Sequence, residues 1–559
     1  MSLPASAVVS TQNAVSDIRR PCASFPPNIW GDTFLQYASE FMEVSDNVKQ
    51  QAQMLKEDVR MMFQASVNQN IIDKLNLIDL IQRFGVSYQF QQEINQALKQ
   101  INDSFNEDEN HHSLALLFRL LRQQGYQISS SIFNKLKNDQ GNFDETLVND
   151  IQGLCNLYEA THLRTHEDDI LEEAYDFSKT HLESLANRVS PSLAIQIDHC
   201  LRRPLNKSVL RFEARYHMTI YEQDPFHDET LLTFAKVDFN ILQKIHQKEI
   251  GNINKWWRKS NFAIKVPYAR DRLVEAYLWS LATSSNKLEY SYIRMFMGKL
   301  TAVVALLDDT YDDYGTIQEL ELFTKAIERW DINPFGCLPQ CMRVVFDTVV
   351  EFCEEIKLKT TKTGKSSFVM PHFKQAIYNL IKGYMVEAKW CHESYVPTYD
   401  EYKVNGVLSS TIPFFITSFI CIGEFATENV LDWASRGPNI IEAASIIGRV
   451  VDDMASHKFE QQRVHVASAV ECCMKQYDIS QADAYKLIHK DVEDCWKVIN
   501  KEYLNLNDIP EPVLDFILNL TRMCEVSYEN HQDRFTNGEL LKEYVSSLLV
   551  DPMCINQHR

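Results

Sequence analysis

The sequence predicts an all-α protein, and three observations point there. Apolar residues recur at three- and four-residue spacing through most of the chain, the period of one helix face. Alternation with the two-residue period of a strand is rare. Glycine, which weakens a helix interior, occurs only 16 times in 559 residues. Taken in order, the spacing predicts helices over 71–84, 113–125, 168–185, 231–250 and 271–281. The third opens on Glu167, Asp168 and Asp169, acidic residues that a helix N-terminus favours. Breaks are expected at Pro204, at Asp224-Pro225, at Asn333-Pro334-Phe335-Gly336 and at Gly437-Pro438. Pro413 should break a further helix just after Ser409, Ser410 and Thr411. The Lys- and Thr-rich stretch 357–367 reads as a solvated loop. Its Gly364-Lys365-Ser366 is not a phosphate loop, because position 359 is Lys359 rather than glycine and no strand precedes it.

Length and composition bound the rest. A chain of 559 residues is too long for one compact core, so two large domains are expected. We place the division at the Pro225 break: a tail over 1–25, a helical domain over 26–225 and a second over 226–559. A net charge of −20 argues against nucleic acid and anionic membrane as partners. The thirteen cysteines include Cys337 and Cys341 at C-x3-C spacing and the adjacent Cys472 and Cys473, without a matching second pair. Free buried thiols are therefore expected rather than a zinc site. Residues 1–20 lack the apolar core of a secretory signal, and no charge-free apolar stretch of spanning length is read.

The chemistry concentrates in two places. Asp308, Asp309, Asp312 and Asp313 follow the apolar run 302–307. Asp308 and Asp312 stand at i and i+4 and share one helical face. Gly315 places the cluster near a helix C-terminus, where the macrodipole is also negative. All local electrostatic terms then repel, and oxygen-rich ligation without thiolate suits magnesium or manganese. A second helix, starting near Ile440, delivers Asp452, Ser456 and Glu460 at i, i+4 and i+8, with Arg449 close to the same face. Either stripe alone reads as a solvated helix face. Two together, each ending an apolar helix, describe a metal-bridged diphosphate held between facing helices.

At these residues the chain resembles the plant-type class I terpene synthases, in particular the cytosolic sesquiterpene cyclases. Asp308-Asp309-Thr310-Tyr311-Asp312 is similar to their aspartate-rich motif, and Asp452 to Glu460 to their second metal motif. Arg270-Asp271-Arg272 resembles their R-x-R motif, and Arg20-Pro21 with Trp30 their R-P-x8-W. The resemblance implies an N-terminal α-barrel-like domain without catalytic role, since a D-x-D-D motif is absent, packed on a C-terminal helical bundle. It implies three magnesium ions, with manganese as a substitute, held by Asp308, Asp312, Asp452, Ser456 and Glu460. Arg270, Arg449, Asp308, Asp312 and Asp452 would meet the diphosphate, with Arg272 on a closing loop. Asp309 is expected to orient an arginine, Asp313 to be solvated, and Arg463 and Lys458 to form surface ion pairs. Trp279, Tyr528, Asp533 and Phe535 match the family's pocket positions. Phe535 departs from the common tyrosine, keeping a ring but no hydroxyl, and Arg534 is an unusual charge beside it.

The implied activity is cyclisation of farnesyl diphosphate to a sesquiterpene, of cadinane or germacrene type, by a cytoplasmic, monomeric lyase. The alternatives are a monoterpene synthase on geranyl diphosphate, a chain-elongating prenyltransferase and a non-catalytic relative with a decayed site. The Asp/Ser/Glu form of the second motif and the long N-terminal domain favour a cyclase.

Overall fold

A computed structural model describes residues 23–38, 44–65, 71–104, 113–334 and 336–555. Arg20 and Pro21 of the expected N-terminal motif lie outside them. Among the described residues the regular structure is helical, with one isolated bridge between Lys137 and Phe143 in place of any strand. The helices predicted from spacing appear as Ile71–Arg83, Leu114–Gln123, Asp169–Leu185, Glu229–Ser260 and Leu273–Thr283.

Local chemistry explains where these elements begin and end. The Asp228 carboxylate accepts from the Leu231 N–H and starts the 32-residue helix Glu229–Ser260. Asn261 ends that helix in the left-handed region at φ 57°. Thr316 with Glu319, and Ser468 with Glu471, form capping boxes. The Pro225 break falls in the connection between Leu210–Tyr221 and Glu229–Ser260.

Two expectations are corrected. Residues 357–367 are mostly helical: Gln340–Lys362 runs on to Lys362, and Ser366–Glu393 starts four residues later. Lys357, Thr361 and Lys362 lie on the exposed face of Gln340–Lys362, and the buried Thr360 satisfies its hydroxyl by donating to the Ile356 carbonyl. Apolar stretches of spanning length also exist, over 288–312 and 399–422. About 72% of each window is buried inside the protein, so their apolar surface packs in the core. The second is two helices, Tyr399–Ser409 and Ile412–Ile422, meeting at a kink.

One hydrophobic core runs from Trp30 to Met553, with two smaller clusters among residues 114–174 and 154–200. In its C-terminal part, Leu273–Thr283 packs on Ser291–Asp312 and on Glu511–Ser527. Asn439–Glu460 packs on Tyr399–Ser409, Gln481–Asn505 and Glu511–Ser527. Ser291–Asp312 and Asn439–Glu460 both lean on Ile412–Ile422, which leaves a hollow between their C-terminal halves.

Candidate active site

The hollow measures about 1240 Å³ out to its open mouth. Asp308 and Asp312 line one side, Asp452, Ser456 and Glu460 the other. The two acidic edges therefore share a single cavity.

The first edge is built by the last turns of Ser291–Asp312. Val303, Val304, Leu306 and Leu307 are buried and fix the rotation of the helix. That rotation leaves 28% of the Asp308 side chain and 26% of Asp312 exposed to the cavity, and turns Asp309 inward at 1%. Beyond the helix end the chain passes tightly under Leu320, where a Cβ on Gly315 would sit 2.3 Å from Leu320 Cδ2. Asp309 aims an arginine, as expected. Its Oδ2 accepts from the Arg270 N–H at 2.7 Å, and its Oδ1 pairs with Arg270 Nε at 3.0 Å. The same guanidinium meets Asp308 and donates to Thr536 Oγ1 at 2.9 Å.

The second edge repeats this plan. Asp452 faces the cavity and Asp453 turns inward. Arg449 pairs with Asp452 at 2.7 Å and with Asp453 at 2.6 Å. Asp453 is held further by the Tyr402 hydroxyl at 2.6 Å and the Ala469 N–H at 2.8 Å. Ser456 Oγ, buried between Asp452 and Glu460 in sequence, has no hydrogen-bond partner. A buried hydroxyl left unpaired beside carboxylates fits a hard cation, whose oxygen shell would include it. The acidic heads are met by Arg270 at Asp308, by Arg449 at Asp452 and by His465 at Asp312 and Glu460.

Electrostatics agrees. Burial, then Asp312, pushes the Asp308 carboxyl up. Burial lifts Asp309 to about 8 against the pull of Arg270. Burial also raises Asp452 and Glu460. Asp312 goes the other way: burial works to raise it, but the His465 imidazole overrides that and holds it low. A site that forces acids to take up protons is one that a divalent cation would relieve.

Three expectations on charged neighbours change. Asp313 is buried rather than solvated, at 2% exposure, and pairs with Arg463 at 2.9 Å. Burial takes it to about 6. Arg463 is thus in the cavity wall, reaching across from the chain after the second edge, not at the surface. Arg272 stands behind the wall: its Nε donates to the Thr536 carbonyl at 2.8 Å and its Nη2 to the Pro26 carbonyl. It ties the N-terminal strap to the C-terminal loop. Arg534, the odd charge in that loop, bonds the Val526 carbonyl and Glu529.

The floor is apolar and aromatic. Trp279 lies 6.2 Å from Phe535 and 6.5 Å from Tyr528, both edge-on. Thr301, Val304, Ala305, Ile412 and Phe415 complete it. Asp533 caps the Thr536 N–H at 2.8 Å beside it. Ser409, Ser410 and Thr411 line the cavity at the predicted kink, with Thr411 forced to φ 67° ahead of Pro413.

Sequence reasoning missed two wall residues. His465 lies 3.7 Å from both Asp312 and Glu460, bridging the edges, and those carboxylates raise it to about 10 against the effect of burial. Glu387, on Ser366–Glu393, is 5% exposed and accepts from Ser409 Oγ at 2.5 Å. Burial lifts it to about 8. A lone carboxylate on the buried face next to Tyr384 and Met385 was the available signal.

Comparison with known proteins gives consistent results. Residues 29–201 match the family profile described as terpene synthase, N-terminal domain, and residues 258–498 that of terpene synthase family, metal binding domain. The chain is 43% identical over 561 residues to a (−)-germacrene D synthase of Vitis vinifera, covering 99% of this chain and all of that one. Its fold resembles a limonene synthase solved with 2-fluorolinalyl diphosphate, at TM-score 0.90 and 30% identity, covering 96% and 100% of the two chains. It also resembles the isoprene synthase of grey poplar, Populus x canescens, solved with three Mg2+ ions and dimethylallyl-S-thiolodiphosphate. That match has a TM-score of 0.85 at 31% identity and covers 94% and 99%.

Proposed function

The chain belongs to the terpene synthase family, whose members are lyases of prenyl diphosphates, and from that premise we propose that it converts farnesyl diphosphate to a sesquiterpene in a magnesium-dependent reaction. The observation that carries this reading is the pairing of two acidic edges with an aromatic floor in one hollow.

Asp308 and Asp312 would hold metal on one edge, and Asp452, Ser456 and Glu460 on the other. Three magnesium ions is the proposed count, with manganese as a substitute. Bound there, the ions would neutralise a leaving diphosphate, so that the allylic C–O bond breaks without an acid. The remaining work falls to the chain. Arg270 and Arg449, held by Asp309 and Asp453, would grip phosphate oxygens. Arg272 acts by fixing the strap and loop rather than by touching substrate. The hydrocarbon lies on the floor, where Trp279, Tyr528 and Phe535 present π faces worth roughly 0.5–2 kcal/mol each to a carbocation. Phe535 stabilises charge without offering a proton relay. Loop closure over Asp533 and Thr536 keeps water from quenching the cation.

Likeness to the germacrene D synthase supports a sesquiterpene, with a germacrene-type skeleton as the product class. A cytoplasmic location and a monomeric state belong to the same proposal. The test is incubation with farnesyl diphosphate and Mg2+, followed by gas chromatography of the volatiles. A cyclic sesquiterpene formed only with metal is expected. Product from geranyl diphosphate alone, or chain lengthening when isopentenyl diphosphate is supplied, would overturn the reading.

A further inference from the structure

The loop that carries Asp533 and Phe535 is tied to helices far from it in the chain. Arg203, just past the helix Pro191–Arg202, forks between two carboxylates. Its Nη1 donates to Glu213 Oε1, on Leu210–Tyr221, at 2.9 Å, and its Nη2 to Glu529 Oε2 at 3.1 Å. The same Glu529 oxygen accepts from Arg534 Nη2 at 2.7 Å. We propose that Arg203, Glu529 and Arg534 form a clamp by which the helices before the Pro225 break hold this loop over the hollow. Arg203 and Arg534 are then positioning residues for the reaction. The effect on turnover rests on the proposed farnesyl diphosphate reading, whereas the clamp itself does not.

The anchor is firm before the loop reaches it. Glu213 is 2% exposed and also stands 3.1 Å from His199 Nε2. The Arg203 guanidinium lies 5.4 Å from the centre of the Tyr544 ring. Charge-assisted bonds with this little water around them hold better than ion pairs at the surface.

The loop is shaped to meet that anchor. After the helix Glu511–Ser527, Asn530 and His531 take left-handed backbone, at φ 58° and 55°. The chain thereby turns back and returns Arg534 to the helix end. There the Arg534 N–H donates to the Ser527 carbonyl at 3.0 Å, and its Nη1 to the Val526 carbonyl at 3.1 Å. Its neighbours Asp533 and Phe535 line the hollow, and Thr536 accepts from Arg270. A displaced Arg534 would carry the floor ring and the partner of a diphosphate arginine with it. Because both guanidinium groups share one carboxylate oxygen, removing either opens the bridge, so their effects should not add.

The test follows amide hydrogen exchange over 532–537, without metal or substrate, in wild type, Arg203→Gln, Arg534→Gln and the double variant. Arg202→Gln is the neighbouring control, since Arg202 pairs with Asp198 at 2.7 Å instead. Exchange should quicken about fivefold or more in each clamp variant, no further in the double, and stay at the wild-type rate in the control. With farnesyl diphosphate and Mg2+, the clamp variants should raise KM about threefold or more while kcat stays within about twofold, because both metal edges are untouched. Should Arg534→Gln fail to fold, Arg203→Gln carries the test, as it leaves Glu213 beside His199. Wild-type exchange in Arg203→Gln, additive effects in the double variant, or a fall in kcat at unchanged KM would overturn the clamp. The expected exchange pattern in a wild type that leaves farnesyl diphosphate unconverted would support the clamp and overturn the substrate reading instead.

Discussion

The two edges of the hollow share a plan and differ in how firmly it is built. On each, the first aspartate of an Asp-Asp pair faces the cavity and the second turns inward to aim an arginine. Asp309 relies on Arg270 alone, through its N–H and guanidinium. Asp453 is held by Arg449, the Tyr402 hydroxyl and the Ala469 N–H. The first edge is also all carboxylate, while the second replaces one carboxylate with the Ser456 hydroxyl. The first edge thus concentrates carboxylate charge met by Arg270 and His465, and the second is more heavily scaffolded behind but keeps the Ser456 hydroxyl unpaired in front. A group already satisfied by the fold contributes to stability, and a group left unsatisfied waits for a ligand.

The largest expected effect breaks the charged edge. Asp308→Ala should lower turnover at least about a hundredfold while thermal stability holds or rises, because repulsion with Asp312 is relieved. Ser456→Ala should act in the same direction by about tenfold, mainly by raising the magnesium requirement. Steady-state kinetics across magnesium concentration checks both, and wild-type rates for Asp308→Ala would contradict the account.

Stability separates the inward aspartates. Asp453→Asn should cost about 1–3 kcal/mol of folding stability, and Asp309→Asn less, since its neutral form is already favoured. Equal losses in denaturant titrations would dissolve the contrast between the edges.

The same contrast has a pH signature. Burial raises the folded-state carboxyls of Asp309 and Glu387 to about 8, above their usual range near 4. Their stability contribution is full below that usual range and is lost as pH rises through about 8. Metal-free protein should therefore melt at progressively lower temperature from pH 5 to 8. Magnesium with diphosphate should flatten the slope. A metal-free melting temperature that climbs over this range would contradict the assignment. Smallest in rate is Phe535→Tyr, expected to shift the product mixture more than the turnover. An unchanged chromatogram would remove Phe535 from the floor.

The sequence exposed whatever follows a local period. Asp308 with Asp312, and Asp452 with Ser456 and Glu460, fall on one face by helical arithmetic alone, and Pro413 announces its own kink. Composition misled at 357–362, where lysines and threonines form an exposed helix end. What stayed hidden depends on partners distant in sequence. His465 bridges the two edges, Arg463 reaches Asp313, and Arg272 joins Pro26 to Thr536. No spacing rule places such contacts, since each is fixed only when separate helices pack.

The central claim is that one pyrophosphate is shared by both edges, and calorimetric titration of inorganic diphosphate addresses it most directly. Wild type, Asp308→Ala, Glu460→Ala and the double variant are compared in saturating Mg2+. We expect tight binding by wild type, severe loss in either single variant and no further loss in the double. Additive losses, or wild-type affinity with either edge disabled, would show that the edges act separately.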